Sequence, residues 1–180
     1  MLIRDVRHEN GVHFERPAAR RRYEIRRELR PGDAEAIVAM HDRLYPAEYE
    51  RNDAFVAAVA DSVAKAVAAG WPDGGGVWIV ERDGSHAGSV ALTDEGDGIG
   101  KVRWVLLEPS LRGLGLGRRL IGEAVDRARE LGMRRLELDT FSELRAAAKL
   151  YRDAGFRVVG SRERADWGPP ILYQQYALDL

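Results

Sequence analysis

The sequence contains no cysteine. That absence removes disulfides, thiolate zinc sites and a cysteinyl acyl-enzyme together, so any acyl transfer must be direct or use another nucleophile. No metal site is expected. No apolar run approaches the length needed to cross a bilayer. Met1-Leu2-Ile3-Arg4-Asp5 also lacks the basic segment, apolar core and small-residue cleavage site of a secretory signal. A cytoplasmic protein with no membrane partner is the expectation. Charge of either sign is scarce in net terms, at −1, which argues against a nucleic-acid binder driven by bulk electrostatics. No internal repeat or linker divides the chain.

What is present is ordinary globular material: 180 residues, 45% hydrophobic and 32% charged, enough for one domain with a substantial core. Residues 1–22 show neither the helical nor the strand period and contain the breaker Pro17, so they read as a basic arm ahead of a domain at 23–180. Arginines at positions 16, 20, 21, 22, 26, 27 and 30 crowd this end. They form either a solvated face or a contact surface for an acidic partner or a subunit.

From Tyr23 to Leu29 apolar and polar residues alternate as in a half-buried strand, and Pro31-Gly32-Asp33 supplies a turn and a helix cap. A helix over 34–44 would bury Ile37, Met40, His41 and Leu44 on one face. A second helix runs from Asp53 to about Ala69, with Tyr45-Pro46-Ala47-Glu48-Tyr49 lying between the two. Three strands with short turns follow, at 77–81, 86–92 and 101–107. A helix then carries Leu116, Leu120, Ile121, Ala124, Val125, Ala128 and Leu131 on one stripe. A strand at 135–140, a helix from about Glu143 to Gly155 and terminal strands near 156–164 and 171–178 complete the order. The pattern is that of a single α+β domain around a mixed sheet, and the terminal strand offers a way to pair a homodimer.

The most informative stretch is Arg112-Gly113-Leu114-Gly115-Leu116-Gly117, between a strand ending at Leu107 and an amphipathic helix. Glycines let backbone N–H groups turn inward, and a helix N-terminus adds orphan donors and a positive dipole end. Diphosphate is the natural guest. Arg112, Arg118 and Arg119 add charge around the same point. The nucleoside triphosphate loop requires Gly-Lys-Ser/Thr, but Gly117 is followed by Arg118-Arg119. The dinucleotide spacing Gly-x-Gly-x-x-Gly fails in both registers, because Arg118 or Leu120 stands at the third glycine.

Arg112-x-x-Gly115-x-Gly117 resembles the coenzyme A motif of the GNAT superfamily of N-acetyltransferases, Gln/Arg-x-x-Gly-x-Gly/Ala after a strand and before a helix. The resemblance extends over residues 23–180. It is nearest to the acetyltransferase half of bacterial fusions joining a MarR-type regulator to a GNAT domain, through 41–49, 108–115 and 174–180. With 22 residues ahead of the domain no winged helix is expected, so no direct nucleic-acid partner is implied. The resemblance implies acetyl-CoA as donor, a mostly antiparallel sheet with a splayed central strand pair, and cofactor contacts from Leu106 and Leu107 through Arg112, Gly113, Leu114, Gly115, Leu116, Gly117 and Arg118. Lys149-Leu150-Tyr151-Arg152-Asp153-Ala154-Gly155-Phe156 resembles the family's Leu-Tyr-x-x-x-Gly-Phe, which makes Tyr151 the general acid for the departing thiolate.

Two positions depart from the family pattern. The Asn that often holds pantetheine is Leu144 here, with Thr140 or Ser142 as substitutes, and the Glu some members carry on the strand before the glycine loop is Lys101. Candidates for the amine's base are therefore His41, Glu48, Glu108 and Asp139. The family builds its acceptor site where Tyr45, Glu48, Tyr49 and Arg103 stand, with Arg103 a candidate carboxylate clamp. The implied activity is acetyl transfer to a small-molecule amine. A non-catalytic acyl-CoA sensor and a protein-lysine or N-terminal acetyltransferase are the alternatives.

Overall fold

The computed structural model describes residues 23–180, so the arm read over 1–22 lies outside the described residues. The order is β1 (Tyr23–Arg26), α1 (Asp33–Tyr49), α2 (Asp53–Ala68), β2 (Gly76–Arg82), β3 (Ser85–Asp94), β4 (Ile99–Leu107), α3 (Leu116–Glu130), β5 (Arg135–Phe141), α4 (Arg145–Asp153), β6 (Arg157–Arg164) and β7 (Ile171–Asp179). One 3₁₀ turn, Pro109–Leu111, separates β4 from the glycine loop. Among the described residues no helix is long and apolar enough to cross a membrane.

The seven strands form one sheet in the order β1-β2-β3-β4-β5-β7-β6. Every neighbouring pair is antiparallel except β4 and β5. Asp83 and Gly84 both take positive φ, 52° and 77°, in the tight β2–β3 turn, the geometry that matches the strands' right-handed twist. In β2, Trp78 and Val80 join the core beneath α3 and α4, while Val77 and Ile79 join the core beneath α1 and α2. The sheet is thus apolar on both faces. Each fully buried side chain of this kind contributes about 1.5–3 kcal/mol.

Two expectations are corrected. The segment 45–49 does not lie between helices but forms the last turn of α1, with Pro46 inside it. An internal proline costs about 3 kcal/mol. Offsetting this, Leu44 and Tyr45 are buried, and Tyr45 stacks on His41 and packs against Phe55, with ring centroids 5.4 and 4.6 Å apart. The terminal strand β7 cannot pair a dimer, because β5 and β6 occupy both its edges. Among the described residues the sheet ends at β1 on one side and β6 on the other.

Candidate active site

The pairing of β4 with β5 runs only from Ile99↔Arg135 to Lys101↔Glu137, although β4 continues to Leu107 and β5 to Phe141. The strands part like a fork. The cause lies on the other side of β4. Ser89 pairs with Leu106 and Ala91 with Arg103, so β4 carries one extra residue there, and Trp104 adopts φ 48°. Such a bulge bends its strand. Left-handed backbone at a non-glycine residue costs about 1–2 kcal/mol and persists only where its surroundings hold it. Here the Ser89 hydroxyl donates to the Trp104 carbonyl at 2.7 Å, and the Trp104 indole N–H donates to the Ser62 Oγ at 3.0 Å. Where the strands separate, Lys101 and Asp139 form a 2.6 Å ion pair across the gap.

A cleft of about 880 Å³ passes through this fork. It is lined on the α3/α4 face by the glycine loop, Ala147, Leu150 and Tyr151, and on the α1/α2 face by His41, Tyr45, Phe55 and Val59. The fork is therefore reached from both faces of the sheet. Among the described residues no group of three or more His, Asp or Glu is placed to hold a metal ion.

At the first mouth Gly113 and Gly115 take φ of 76° and 80°, and Gly115 stands as the N-cap of α3 without a side-chain cap. A Cβ at either would meet open space, so it is the backbone conformation that calls for glycine. No backbone bond among the described residues takes the N–H groups of Gly113, Leu114 or Gly115. Those of the first turn of α3 are orphaned by helix geometry. A ring of unpaired amides at a positive dipole end fits a diphosphate. Leu106 is buried and Leu107 half-buried, and both line the cleft on the β4 edge that β5 has left. Leu116 is buried, whereas Leu114 is exposed.

The arginines here are already engaged. Arg112 grips both carboxylate oxygens of Glu48, at 2.7 and 2.9 Å, and donates to the Leu107 carbonyl at 3.0 Å. Arg118 reaches Asp153 at 3.2 Å from a largely exposed position. On α4, Arg145 and Lys149 line the same side of the cleft one turn apart.

Tyr151 lines the cleft and makes no side-chain hydrogen bond among the described residues. Its ring is 4% exposed and is braced edge-on by Phe156 and Tyr176. Burial pushes its hydroxyl well above the usual tyrosine range, so it holds its proton throughout the neutral range. Of the two substitutes for the missing Asn, Thr140 lines the cleft together with Leu144. The amide of Ser142 is tied to the Leu172 carbonyl, 3.0 Å away.

The four candidate bases separate by environment. Arg112 beside Glu48 holds that carboxyl below the usual range, and Glu108 is bound by Arg43. Neither lines the cleft. Asp139 and His41 do. His41 bonds the Ile37 carbonyl through Nδ1 at 2.8 Å, which leaves Nε2 as an acceptor. Burial pulls its pKa down to about 4, so the imidazole is neutral at physiological pH. Arg103 lines the cleft, but its guanidinium is held by both oxygens of Glu95, at 3.0 and 3.2 Å, and by Thr93.

The opposite mouth is built of aromatic rings, most of which sequence reasoning missed. Tyr45 and Tyr49 come from α1, Phe55 from α2, Phe141 from β5, Trp167 from the β6–β7 loop and Tyr173 from β7. Successive centroids lie 4.6–6.2 Å apart. Arg51 frames them. Its side chain is 2% exposed and donates to the Tyr49 carbonyl at 2.6 Å, the Pro169 carbonyl at 3.4 Å and Glu143 Oε2 at 3.0 Å. It also sits 5.4 Å from the Phe141 ring centre. The Asn52 amide donates to the Trp167 carbonyl and its side chain to the Asp166 carbonyl, at 3.2 and 3.1 Å, fastening the β6–β7 loop to the α1–α2 connection. Asp166-Trp167-Gly168-Pro169-Pro170 is an aromatic residue set in a turn-rich loop, a local signal of a binding loop that could have pointed here beside Tyr45 and Tyr49.

A sheet forked beside a bulge, with unpaired amides at a helix end in one mouth, has the donors to receive a phosphate-bearing ligand. Residues 34–156 match the family described as "Acetyltransferase (GNAT) family". The chain is 31% identical over 137 residues to a mycothiol acetyltransferase from Sanguibacter keddieii, covering 72% of this chain and 42% of that protein. It is 34% identical over 85 residues to an uncharacterized N-acetyltransferase, YjgM, from Escherichia coli, covering 46% of this chain and 51% of that one. It thus spans about half or less of these relatives' lengths. Among solved structures, a GNAT-family acetyltransferase from Streptococcus pneumoniae superimposes with a TM-score of 0.64 at 26% identity, covering 88% of this chain and 100% of that one. The Salmonella typhimurium acetyltransferase yncA, solved with its cofactor acetyl-CoA, gives 0.66 at 20%, covering 88% and 94%. The chain belongs to the GNAT acetyltransferase family.

Proposed function

We propose that this chain is an acetyl-CoA-dependent N-acetyltransferase that acetylates a small-molecule amine by direct attack. The observation that carries the reading is the cleft through the β4–β5 fork, with free glycine-loop amides at one mouth and Tyr151 along its wall. The amides of Gly113–Gly117 would hold the diphosphate of coenzyme A, and the unpaired edge of β4 near Leu106 and Leu107 would hold pantetheine and the thioester oxygen. The amine nitrogen forms a bond to the acetyl carbon while the carbon–sulfur bond breaks. The sulfur pair departs as thiolate, and the proton lost by nitrogen balances the one gained by sulfur. Tyr151 donates to that sulfur. A thiol ordinarily titrates at about 8.5, below the buried tyrosine, so the hydroxyl acts chiefly by hydrogen-bonding the developing thiolate. Of the four candidate bases, Asp139 and the Nε2 of His41 line the cleft and are the ones we assign to take the amine proton. The finer likeness to the acetyltransferase half of MarR–GNAT fusions belongs to the same reading.

The test is release of CoA thiol from acetyl-CoA with a panel of primary amines, comparing wild type with Tyr151→Phe. Loss of a hydrogen-bond donor to a developing anion costs about 10²–10³-fold in rate. We expect kcat to fall by about 10²-fold while the acetyl-CoA Kd stays within about twofold. An unchanged kcat across the pH range would remove Tyr151 from the chemistry. Tight acetyl-CoA binding without turnover on any amine would mark the chain as a sensor.

A further inference from the structure

The aromatic mouth carries chemistry that the transfer reaction alone does not require. Six rings from five segments meet there in one continuous network. Tyr45, Phe55 and Phe141 are buried at its base, while Tyr49, Trp167 and Tyr173 remain half-buried along the cleft. The outer rings are held in place rather than left loose. Arg164, which lies outside the cleft, covers one face of Trp167 at 3.4 Å from the ring centre and is itself fixed by both oxygens of Asp166. Arg162 lies over Tyr173 at 5.2 Å. Rigid aromatic walls bind flat π-systems by stacking and edge contact, worth about 0.5–1.5 kcal/mol per ring pair beyond area burial.

The charges at this mouth are equally selective. The more buried cations are already matched, Lys101 by Asp139, Arg103 by Glu95 and Arg51 by Glu143, whereas Arg145 on the cleft wall and Arg162 over Tyr173 are exposed and have no carboxylate partner among the described residues. A carboxylate on the acceptor would have to break one of these pairs or settle for the exposed Arg145 or Arg162, whose attraction water screens. An ammonium group meets a different situation. Glu143 lines the cleft with its side chain 43% exposed, and Arg51 takes only its Oε2. A cation beside that carboxylate and over aromatic faces is favoured by both. The loop carrying Trp167 is fastened to the α1–α2 connection by Asn52 and Arg51, which joins two walls of the mouth and suits a compact guest rather than a through-running polypeptide.

We propose that the acceptor is an arylalkylamine: a primary amine on a flat aromatic or heteroaromatic body that bears no carboxylate, seated among Tyr49, Trp167 and Tyr173 with its ammonium towards Glu143. This rests on the N-acetyltransferase reading for its reaction, but the pocket stands on its own geometry. The test uses the full chain with tryptamine and phenethylamine, their carboxylated counterparts tryptophan and phenylalanine, and hexylamine as a flexible aliphatic amine. Binding of each to the CoA-loaded protein is measured by calorimetry and turnover by thiol release. The arylalkylamines are expected to bind and react at least 10-fold better than either comparison group. Trp167→Leu is expected to raise their KM or Kd at least 10-fold with the acetyl-CoA Kd unchanged, and Glu143→Gln to weaken them several-fold without altering hexylamine to the same degree. Binding of the arylalkylamines without acetylation supports the pocket and sinks the transferase reading instead. Equal or better use of the amino acids or of hexylamine, no arylalkylamine binding at all, or an unaltered KM in Trp167→Leu overturns the proposal and leaves the transferase reading intact.

Discussion

Arg51→Ala removes one side chain that ties together three segments. At 2% exposure the guanidinium is shielded from water, so its hydrogen bonds are not replaced by solvent without opening the structure. The 2.6 Å bond to the Tyr49 carbonyl is charge-assisted and contributes about 1.5–3 kcal/mol. The contact with the Phe141 face adds about 1 kcal/mol. The 3.4 Å bond to Pro169 is long and adds little, and the Glu143 end is 43% exposed and weak for that reason. The expected loss is about 3 kcal/mol, which at a urea slope of about 2 kcal/mol/M lowers the unfolding midpoint by about 1.5 M. Arg51→Lys should recover only part, because one ammonium cannot serve Tyr49, Pro169 and Glu143 from a single fork. Urea titration followed by tryptophan fluorescence measures both. A midpoint drop below about 0.5 M for the alanine variant would show that the three segments are held by something other than Arg51.

Three further perturbations test other parts of the structure. Gly115→Ala places a side chain at φ 80° in open space, so its cost is backbone strain of about 1–2 kcal/mol; the acetyl-CoA Kd should rise about 10-fold by calorimetry with little change in fold. Gly168→Ala combines φ 123° with a Cβ 2.5 Å from the Glu50 carbonyl oxygen, and should free the β6–β7 loop, seen as faster amide exchange over residues 165–170. His41 is held neutral with its pKa down at about 4, below the unfolded value of about 6.5. Between those values the unfolded chain binds the extra proton, so stability is lost as pH falls through that window, by about 3 kcal/mol in all. His41→Phe should flatten the fall in urea midpoint between pH 7 and 4, and parallel curves for variant and wild type would refute it.

Much of this molecule was legible locally. The stripe from Leu116 to Ala128 is buried as the 3.6-residue period requires, and the glycine loop was read from residue types whose backbone freedom is their own property. Features set by distant partners were not legible. Pro46 reads as a breaker from its own chemistry, and only the burial of Leu44 and Tyr45 carries α1 past it. Trp104 gives no sign in the sequence that it will adopt left-handed backbone; the Ser89 and Ser62 hydroxyls that hold it lie 15 and 42 residues away. The aromatic mouth is hidden for the same reason, since Phe55, Phe141, Trp167 and Tyr173 become neighbours only when the sheet assembles. Arg51 looks like a surface arginine between two helices until Glu143 and Pro169 arrive.

The fork between β4 and β5 also bears on how turnover is timed. Because the cleft is lined from both faces of the sheet, the sheet acts as a wall with one window, and on the proposed transferase reading the donor and acceptor would use separate doors. Neither has to leave before the other enters. Initial-rate plots should intersect rather than run parallel, and each product should compete most strongly with the reactant that shares its side of the wall.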